Sequence, residues 1–464
     1  MKFRIMNRLI GLVLFVLVSL AGFSQEIKGD SLIVRSIFKS ALKSWESFDN
    51  LGVLTTRMKG RISGTPESLA AIEYTRQIMS SIGLDSVYLQ EVWVKHWQRG
   101  NKEIANINSK VFGSKELSVC SLGQSDGTCE GGIYGEVVEV KDFEELKKLG
   151  EAKVKGKIVF FNNPMDPTFF YTFSAYGAVA ANRVWGASEA AKYGAKAVII
   201  RSLTMSRDDV PHTGMMRYKD GVDRIPAVAI GIASAETLSK WLNKDKELTV
   251  FLETDCKNMP EEKSYNVIGE MRGSKYPEEI VLVGGHIDAW DKGGGVHDDG
   301  IGCMQSIEVM RLFKELGIKP KRTVRAVMFM DEEIAQRGPA KYAEEAIRKK
   351  EKHIAAIESD RGGFTPTGFS IDTTEKVIDK IRKWKDFFGW YGVNDFVKGG
   401  SGVDVGPLKA QNCVVMGFVT DSQRYFDVQH SANDVMSNAS QREMQLGSGT
   451  LATMVYFISE YGLK

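Results

Sequence analysis

The second half of the chain shows a regular succession of short apolar runs and longer amphipathic segments. Apolar runs of roughly four to eight residues predict buried strands, and apolar positions spaced three and four residues apart predict helices. The predicted strands are 266–269, 279–283, 323–330, 354–357 and 413–419. The predicted helices are 302–316, 341–350, 375–388 and 441–461. This alternation predicts an α/β fold in which helices flank a mostly parallel central sheet.

The middle of the chain, residues 119–259, has a pattern of strands and helices of its own. Its predicted strands are 137–140, 157–161, 197–200 and 227–230, and its predicted helices lie near 143–149 and 187–193. A chain of 464 residues is also too long for one ordinary hydrophobic core. We therefore predict that residues 119–259 are a separate domain, inserted into a discontinuous domain formed by residues 25–118 and 260–464.

The first 24 residues have the pattern of an export signal. Lys2, Arg4 and Arg8 are followed by an apolar stretch of 15 residues, 9–23, and then by polar residues. This stretch is shorter than the roughly 20 residues that span a bilayer. The length favours a cleaved signal peptide over the alternative, an uncleaved anchor. We expect a secreted or periplasmic protein with no membrane span after signal cleavage.

Charge and cysteine content narrow the possible functions. The chain has 61 basic and 59 acidic residues, and its formal net charge of +2 becomes −1 once the three basic residues of the predicted signal are removed. A near-neutral chain without a basic run gives no electrostatic reason to expect a nucleic-acid partner. The five cysteines include no CxxC pair, which argues against a cysteine-bound zinc. Cys120 and Cys129 are either a local disulfide or two unpaired thiols.

Acidic residues and histidines follow four of the predicted strands. His286 and Asp288 follow the strand at 279–283, and three acids at 331–333 follow the next one. Asp360 follows the strand at 354–357, and His430 lies beyond the last strand. In open α/β sheets, ligands bind at the carboxyl ends of the strands. Because buried acids need a compensating cation, we predict a metal site at this edge of the sheet.

The spacing of these residues indicates a role for each. On an extended chain His286 and Asp288 lie on the same side, so we expect the Asp288 carboxylate to hold the imidazole nitrogen that does not meet the metal. Asp298, just before a predicted helix, is a candidate bridge between two metals. Glu333 is a candidate ligand, and Glu332 is a candidate general base for a metal-activated water.

Several longer motifs are spread over nearly the whole exported chain: residues 60–64, 96–100, 211–214, 220–222, 273–278, 285–288, 298–300, 332–333, 358–360 and 430–431. These motifs resemble those of the M28 family of zinc peptidases. The resemblance implies a zinc exopeptidase-like fold in which the insertion is a protease-associated domain. It also implies that the protein forms a homodimer.

The same resemblance implies two zinc ions per chain, held by two histidines and three acids. The implied ligands are His286 and Asp360 for one ion, Glu333 and His430 for the other, and Asp298 as the bridge between them. The peptide bond after the bridging aspartate is implied to be cis, and Glu332 is implied to be the general base. Asp331 and Val435 depart from the family pattern, so the substrate preference does not transfer.

These features together predict a co-catalytic di-zinc exopeptidase that hydrolyses dipeptides or short peptides with free termini. His212 is expected either to reach the active site from the insertion as a substrate-binding residue or to be a loop histidine. Tyr425 precedes His430 and is expected to border the substrate cleft. Two alternatives stay open: a single-zinc enzyme similar to glutaminyl cyclases, and a non-catalytic receptor or scaffold on the same fold.

Overall fold

The computed structural model describes residues 29–463, which contain two eight-stranded sheets. The predicted signal peptide lies outside the described residues. The N-terminal segment contains helices α1 (29–41), α2 (Glu46–Arg57) and α3 (Pro66–Ser81) and strand β1 (Ser86–Gln98). Helix α3 begins where the sequence supplies a cap, because the Thr65 hydroxyl accepts the Ser68 N–H and a proline occupies the first turn.

The middle segment forms the second sheet, with three helices packed on it. Its strands are β2 (Glu103–Ser109), β3 (Gly113–Glu116), β4 (Val119–Ser121), β5 (Ile133–Val140), β6 (Ile158–Phe161), β7 (Ala197–Arg201), β8 (Ala227–Ile230) and β9 (Thr249–Thr254). Its helices are α4 (Phe143–Val154), α5 (Thr172–Ala191) and α6 (Ile232–Lys244). The strand order is β3-β2-β9-β5-β6-β7-β8-β4. Because β2 pairs with β9, this unit starts near residue 103, and the predicted boundary at 119 is too late.

The C-terminal segment completes the first sheet. Its strands are β10 (Lys257–Met271), β11 (Tyr276–His286), β12 (Arg322–Phe329), β13 (Lys352–Glu358), β14 (Pro366–Asp372), β15 (Asp395–Lys398) and β16 (Val414–Thr420). Its α-helices are α7 (Ile301–Glu315), α8 (Arg337–Arg348), α9 (Glu375–Arg382), α10 (Lys385–Gly389), α11 (Tyr425–Val428) and α12 (Gln441–Tyr461). A π-helical turn, Val296–Gly300, leads into α7, and two short 3₁₀ helices span Gly406–Gln411 and Met436–Asn438.

The first sheet is mixed, with parallel strands at its centre. The strand order is β1-β10-β12-β11-β13-β16-β14-β15. The four neighbours β12, β11, β13 and β16 are parallel to one another, while β1, β10 and β14 pair antiparallel with their neighbours toward the centre. The carboxyl ends of the four central strands therefore meet at one edge, where ligands bind in open α/β sheets.

Helices cover both faces of the first sheet. Along β11, Val281 and Val283 belong to a large core with helices α7 and α12, while Leu282 faces a smaller core closed by Tyr342 of α8. This alternation is the two-residue period of a strand buried on both sides. Ser440 caps helix α12, because its hydroxyl accepts the Glu443 N–H. The near-continuous apolar runs of the predicted strands follow from this two-sided burial.

Some features differ from what the sequence indicates. Strands β14 and β15 were not predicted, and the predicted helix at 375–388 is two helices, α9 and α10. Cys120 and Cys129 are both free, the first buried and the second exposed, so they form no disulfide. Between residues 29 and 463, no helix is both long enough and apolar enough to cross a membrane.

Candidate metal centre

The carboxyl ends of the central strands bring the predicted acids and histidines to one place. His286 is the last residue of β11, and Glu332 and Glu333 follow β12 after a short turn. Asp360 lies two residues beyond β13. His430 reaches the same edge through the loop and short helix that follow β16. Together with Asp298, all of these residues except Glu332 form two groups, and within each group the ligand atoms lie within 4.8 Å of one another.

The first group contains His286, Asp298 and Asp360. The His286 Nε2 atom lies 3.1 Å from Asp298 Oδ1 and 3.5 Å from Asp360 Oδ1. His286 is fully buried, and its Nδ1 lies 3.0 Å from the backbone carbonyl of Asp288. A proton on Nδ1 that is donated to this carbonyl leaves the Nε2 lone pair available to a metal ion.

The second group contains Asp298, Glu333 and His430. The His430 Nε2 atom lies 3.0 Å from Asp298 Oδ2 and 3.2 Å from Glu333 Oε2. Asp298 therefore faces both groups, with one carboxylate oxygen directed to each histidine. The peptide bond between Asp298 and Asp299 is cis, as the family resemblance implied.

The donor atoms fit divalent cations. The oxygens Asp298 Oδ2, Glu333 Oε1 and Asp360 Oδ1 are buried and accept no hydrogen bond from any described residue. Buried polar atoms are otherwise nearly always satisfied. Imidazole nitrogens combined with carboxylate oxygens are a donor set typical of zinc and related ions. A cation at each group would bind these oxygens and offset the negative charge of the acids.

Burial strongly perturbs the acids of this cluster. It raises the pKa of the Glu332 carboxyl well above its usual range, and the charges of Glu333 and Asp360 add to the rise. Burial also raises the pKa of Glu333 and of Asp360. Burial would raise the pKa of Asp298, but the hydrogen bond from His286 and the nearby charge of His430 hold it far below its usual range. A cation that binds here displaces protons from the flanking acids.

The predicted role of the Asp288 carboxylate is wrong. Its Oδ1 lies 3.9 Å from His286 Nδ1, which is too long for a hydrogen bond. Strand β11 ends at His286, so the two side chains do not share one side of an extended chain. The Asp288 carboxylate instead accepts the backbone N–H groups of Glu332 and Glu333, each at 3.2 Å. Asp288 therefore fixes the turn that presents the paired glutamates.

Glu332 is placed next to the first group, with its Oε2 atom 4.0 Å from His286 Nε2. The preceding residue, Asp331, has a left-handed backbone with φ +69°. Its carboxylate accepts the Ser63 hydroxyl at 2.7 Å, and burial raises its pKa to about 8. Ser63 was not singled out as a site residue, although it belongs to the N-terminal motif at 60–64.

Two further residues hold the Asp298 loop in place. The Asp434 carboxylate accepts the backbone N–H groups of His297 at 2.7 Å and Asp298 at 3.2 Å. Arg61 is fully buried and donates to the carbonyls of three loop residues, at 2.6 to 2.7 Å: Ile287, Gly294 and Gly295. Sequence reasoning gave neither residue a role. For Arg61, the only available signal was its place in the motif at 60–64.

His212 and Tyr425 lie on the side of His430. The buried His212 places Nδ1 2.6 Å from the Gln429 carbonyl oxygen, and burial lowers its pKa to about 4. Thr213, the next residue, donates its N–H to the His430 carbonyl at 2.9 Å. The insertion thus supports the His430 loop. Tyr425 is buried, and burial together with the nearby charges of the metal-centre acids raises its hydroxyl pKa.

His297 belongs to neither ligand group. Its ring stacks on Phe364 with centroids 4.4 Å apart, and Nδ1 accepts the Gly363 N–H at 3.1 Å. Asp299 caps helix α7, because its Oδ1 accepts the Gly302 N–H at 3.1 Å. Both residues brace the loop that carries Asp298.

Known proteins with similar sequences and structures are peptidases. Carboxypeptidase Q of Mus musculus is 32% identical over 414 residues, which are 89% of this chain and 86% of that protein. The crystal structure of a peptidase M28 precursor from Shewanella amazonensis is 30% identical, with a TM-score of 0.89 over 94% of this chain and 98% of that one. A zinc aminopeptidase from Bacillus subtilis is 19% identical and shares the fold, with a TM-score of 0.64 over 89% of this chain and 95% of that one.

The match to a peptidase family covers the segment that carries the metal centre. Residues 266–455 match peptidase family M28. All five candidate ligands lie within this range, and so do both glutamates of the turn after β12. The chain therefore belongs to peptidase family M28 and is a metallopeptidase.

Proposed function

We propose that the protein is a co-catalytic exopeptidase that uses two zinc ions. The proposed ligands are His286 and Asp360 for one ion, Glu333 and His430 for the other, and Asp298 for both. One observation carries the proposal. The two oxygens of Asp298 lie 3.1 Å and 3.0 Å from the Nε2 atoms of two different histidines, so one carboxylate faces two ligand groups.

The chemistry of the donors favours zinc. Two imidazoles and three carboxylates match the nitrogen and oxygen ligands that zinc accepts, and the Bacillus subtilis protein of the same fold is a zinc aminopeptidase by name. When bound, the zinc pair supplies Lewis acidity that acidifies water and polarises a carbonyl. The remaining steps belong to residues of this chain.

Glu332 is the proposed general base. Its Oε2 atom accepts a proton from the attacking water and then donates that proton to the nitrogen of the leaving amine. The Asp288 carboxylate holds the backbone of the two glutamates through two N–H groups. Asp288 is thus a positioning residue, and it meets the His286 ring through its backbone carbonyl and not through its carboxylate.

The proposed substrates are dipeptides or short peptides with free termini. Carboxypeptidase Q and aminopeptidase, the names of similar proteins, both indicate cleavage at a chain end. We further propose that the second-sheet unit is a protease-associated domain, and that the protein is exported to the periplasm or beyond and acts as a homodimer. His212 and Tyr425 are proposed to bound the substrate cleft beside His430.

The test of the proposed function is the variant Glu332→Gln. It removes the base but keeps the shape of the side chain, so we expect two zinc ions per chain and a loss of dipeptide hydrolysis of at least about 100-fold. Zinc is measured by elemental analysis of the purified protein, and hydrolysis is followed on L-Ala-L-Ala.

The matched control is Glu344→Gln. Glu344 also belongs to a Glu-Glu pair, but it is exposed on helix α8, where it forms an ion pair with Lys341. This variant should keep full activity. Normal turnover by Glu332→Gln would refute the role of Glu332 as the general base. One zinc ion per wild-type chain would favour the enzyme similar to glutaminyl cyclases, and zinc-loaded wild type without peptidase activity would favour the scaffold.

A further inference from the structure

Arg361 is a cation beside the metal centre that has no ion-pair partner among the described residues. It follows the candidate ligand Asp360 directly in the chain and is partly buried. Its Nη2 atom donates to the Gly400 carbonyl at 3.3 Å, and its guanidinium carbon lies 5.4 Å from the centre of the Phe173 ring. A guanidinium carries five N–H donors, so a weak bond to one carbonyl leaves most of them available.

Two other arginines of this region have side-chain partners. Arg424 forms an ion pair with Glu443 at 3.1 Å on the protein surface. Arg183 is buried, donates to the Tyr176 hydroxyl at 2.6 Å and lies 3.4 Å from the Nδ1 atom of the candidate ligand His430. Of these three arginines, Arg361 is the one that donates to no side chain among the described residues.

An aromatic cluster lies beside the guanidinium of Arg361. Phe173 of helix α5 stacks on Tyr425, with ring centroids 5.1 Å apart, and meets Phe426 edge-on at 4.9 Å. The guanidinium over Phe173 gains a cation–π attraction, and this contact leaves its in-plane donors unused. The arrangement holds the charge in place without neutralising it.

The charge balance favours an anion at this position. An arginine side chain stays charged in proteins. Two divalent cations at the metal centre would outweigh the three carboxylate ligands, so these three acids would no longer balance the charge of Arg361.

We propose that Arg361 binds a carboxylate of the peptide substrate and thereby selects substrates that carry one next to the scissile bond. This inference rests on the proposed function, because it places the scissile carbonyl at the metal centre. Arg361 follows the candidate ligand Asp360 directly, and its guanidinium lies over the Phe173 ring, which stacks on Tyr425. A C-terminal carboxylate beside the scissile bond is one substrate group that this guanidinium can bind. An acidic side chain of the same residue offers the same chemistry.

Three substrates separate the two sources of the carboxylate. L-Ala-L-Ala carries only the terminal carboxylate, L-Ala-L-Glu amide carries only the side-chain carboxylate, and L-Ala-L-Ala amide carries neither. Wild type should prefer a carboxylate substrate to L-Ala-L-Ala amide. Arg361→Gln should lower kcat/KM for that substrate by about 10- to 100-fold, because a charge-assisted hydrogen bond to a carboxylate is lost. The loss should appear mainly in KM, and L-Ala-L-Ala amide should be unaffected.

Two controls keep the result interpretable. Arg361→Lys keeps the charge without the planar fork and should recover part of the activity. Arg424→Gln removes a nearby arginine that already has a partner and should leave the substrate preference unchanged. Zinc content and melting temperature are measured for each variant, so a folding defect is visible as a loss on all three substrates.

The outcomes distinguish this inference from the proposed function. If zinc-loaded wild type cleaves none of the three peptides, the proposed function fails. If wild type cleaves them but does not discriminate, or if Arg361→Gln changes all three rates equally or not at all, the role of Arg361 is overturned while the peptidase stands.

Discussion

Asp298 differs from the other acids of the metal centre because each of its oxygens meets a different histidine. Glu333 and Asp360 each face one histidine, at 3.2 Å and 3.5 Å. The position of Asp298 depends on residues that never touch the ligand atoms of the histidines. Asp434 accepts its backbone N–H, and Arg61 fixes the preceding loop through three carbonyls. Such outer contacts set ligand orientation in metal sites.

Asp288 provides a test at the same scale. An asparagine there keeps the size but replaces one of the two accepting oxygens with an NH₂ group, which would face a backbone N–H. We expect Asp288→Asn to lower kcat by about 10- to 100-fold, as is typical when an outer-shell partner of a metal site is lost. The paired glutamates would be held less firmly, so zinc bound at the Glu333 group should also fall.

The control for this variant is Asp223→Asn, which changes an exposed aspartate of the insertion. Steady-state kinetics and zinc analysis of the two variants, side by side, give the readout. A fully active Asp288→Asn protein with two zinc ions would mean that its two hydrogen bonds do not position the glutamates.

The sequence was sufficient to single out these residues but not to orient all of them. The acids and histidines after the strands predicted a metal site, and the structure brings all five candidate ligands into two groups that could hold a metal ion. The orientation of Asp288 was missed because β11 ends at His286, and no pattern in the sequence marks that end. The free state of Arg361 was also not visible, because it depends on which acids lie within reach in space.

At the scale of elements, four parallel strands and helix α7 create the edge that carries the site. Near-continuous apolar runs made β11, β12, β13 and β16 predictable, since each is buried on both faces. Strands β14 and β15 were missed because β15 is only four residues long, with one buried residue, and both lie toward the sheet margin. The pairing of β2 with β9 was not predicted, because an alternating pattern does not say which sheet a strand joins.

Gly302 tests how tightly α7 is fitted under the metal centre. A Cβ atom there would lie 1.8 Å from the Ser359 carbonyl oxygen and 2.3 Å from Asp299 Oδ1. Overpacking of this kind costs about 1–3 kcal/mol. We therefore expect Gly302→Ala to lower the melting temperature by several degrees and to reduce zinc binding, because the helix must move away from the Asp298–Asp299 turn.

Gly177→Ala is the matched control for this substitution. Gly177 lies inside helix α5, and nothing lies within 4 Å of its added Cβ. The greater helix propensity of alanine should make this variant neutral or slightly more stable, by up to about 1 kcal/mol. Circular dichroism melts decide the comparison. Equal melting temperatures for Gly302→Ala and wild type would show that α7 tolerates the displacement.

At the scale of the whole molecule, the second-sheet unit completes the site. Thr213 donates to the His430 carbonyl, and the His212 ring contacts the carbonyl of Gln429, so the insertion holds the loop of one candidate ligand. Arg99 joins the two units, because its guanidinium pairs with Asp291 at 2.6 Å and with Glu103 of β2 at 2.9 Å. Helix α5 contributes Phe173, whose ring lies beside Arg361 and stacks on Tyr425. The sequence predicted an inserted unit but not these contacts, which depend on how the two units pack.

The central claim is that one carboxylate connects two metal ions. The most direct measurement is a crystal structure of the zinc-loaded protein with anomalous diffraction data collected at the zinc absorption edge. The account predicts two anomalous peaks, one beside His286 and Asp360 and one beside Glu333 and His430, each in contact with a different oxygen of Asp298. A single peak, or an Asp298 carboxylate that contacts fewer than two ions, would contradict it.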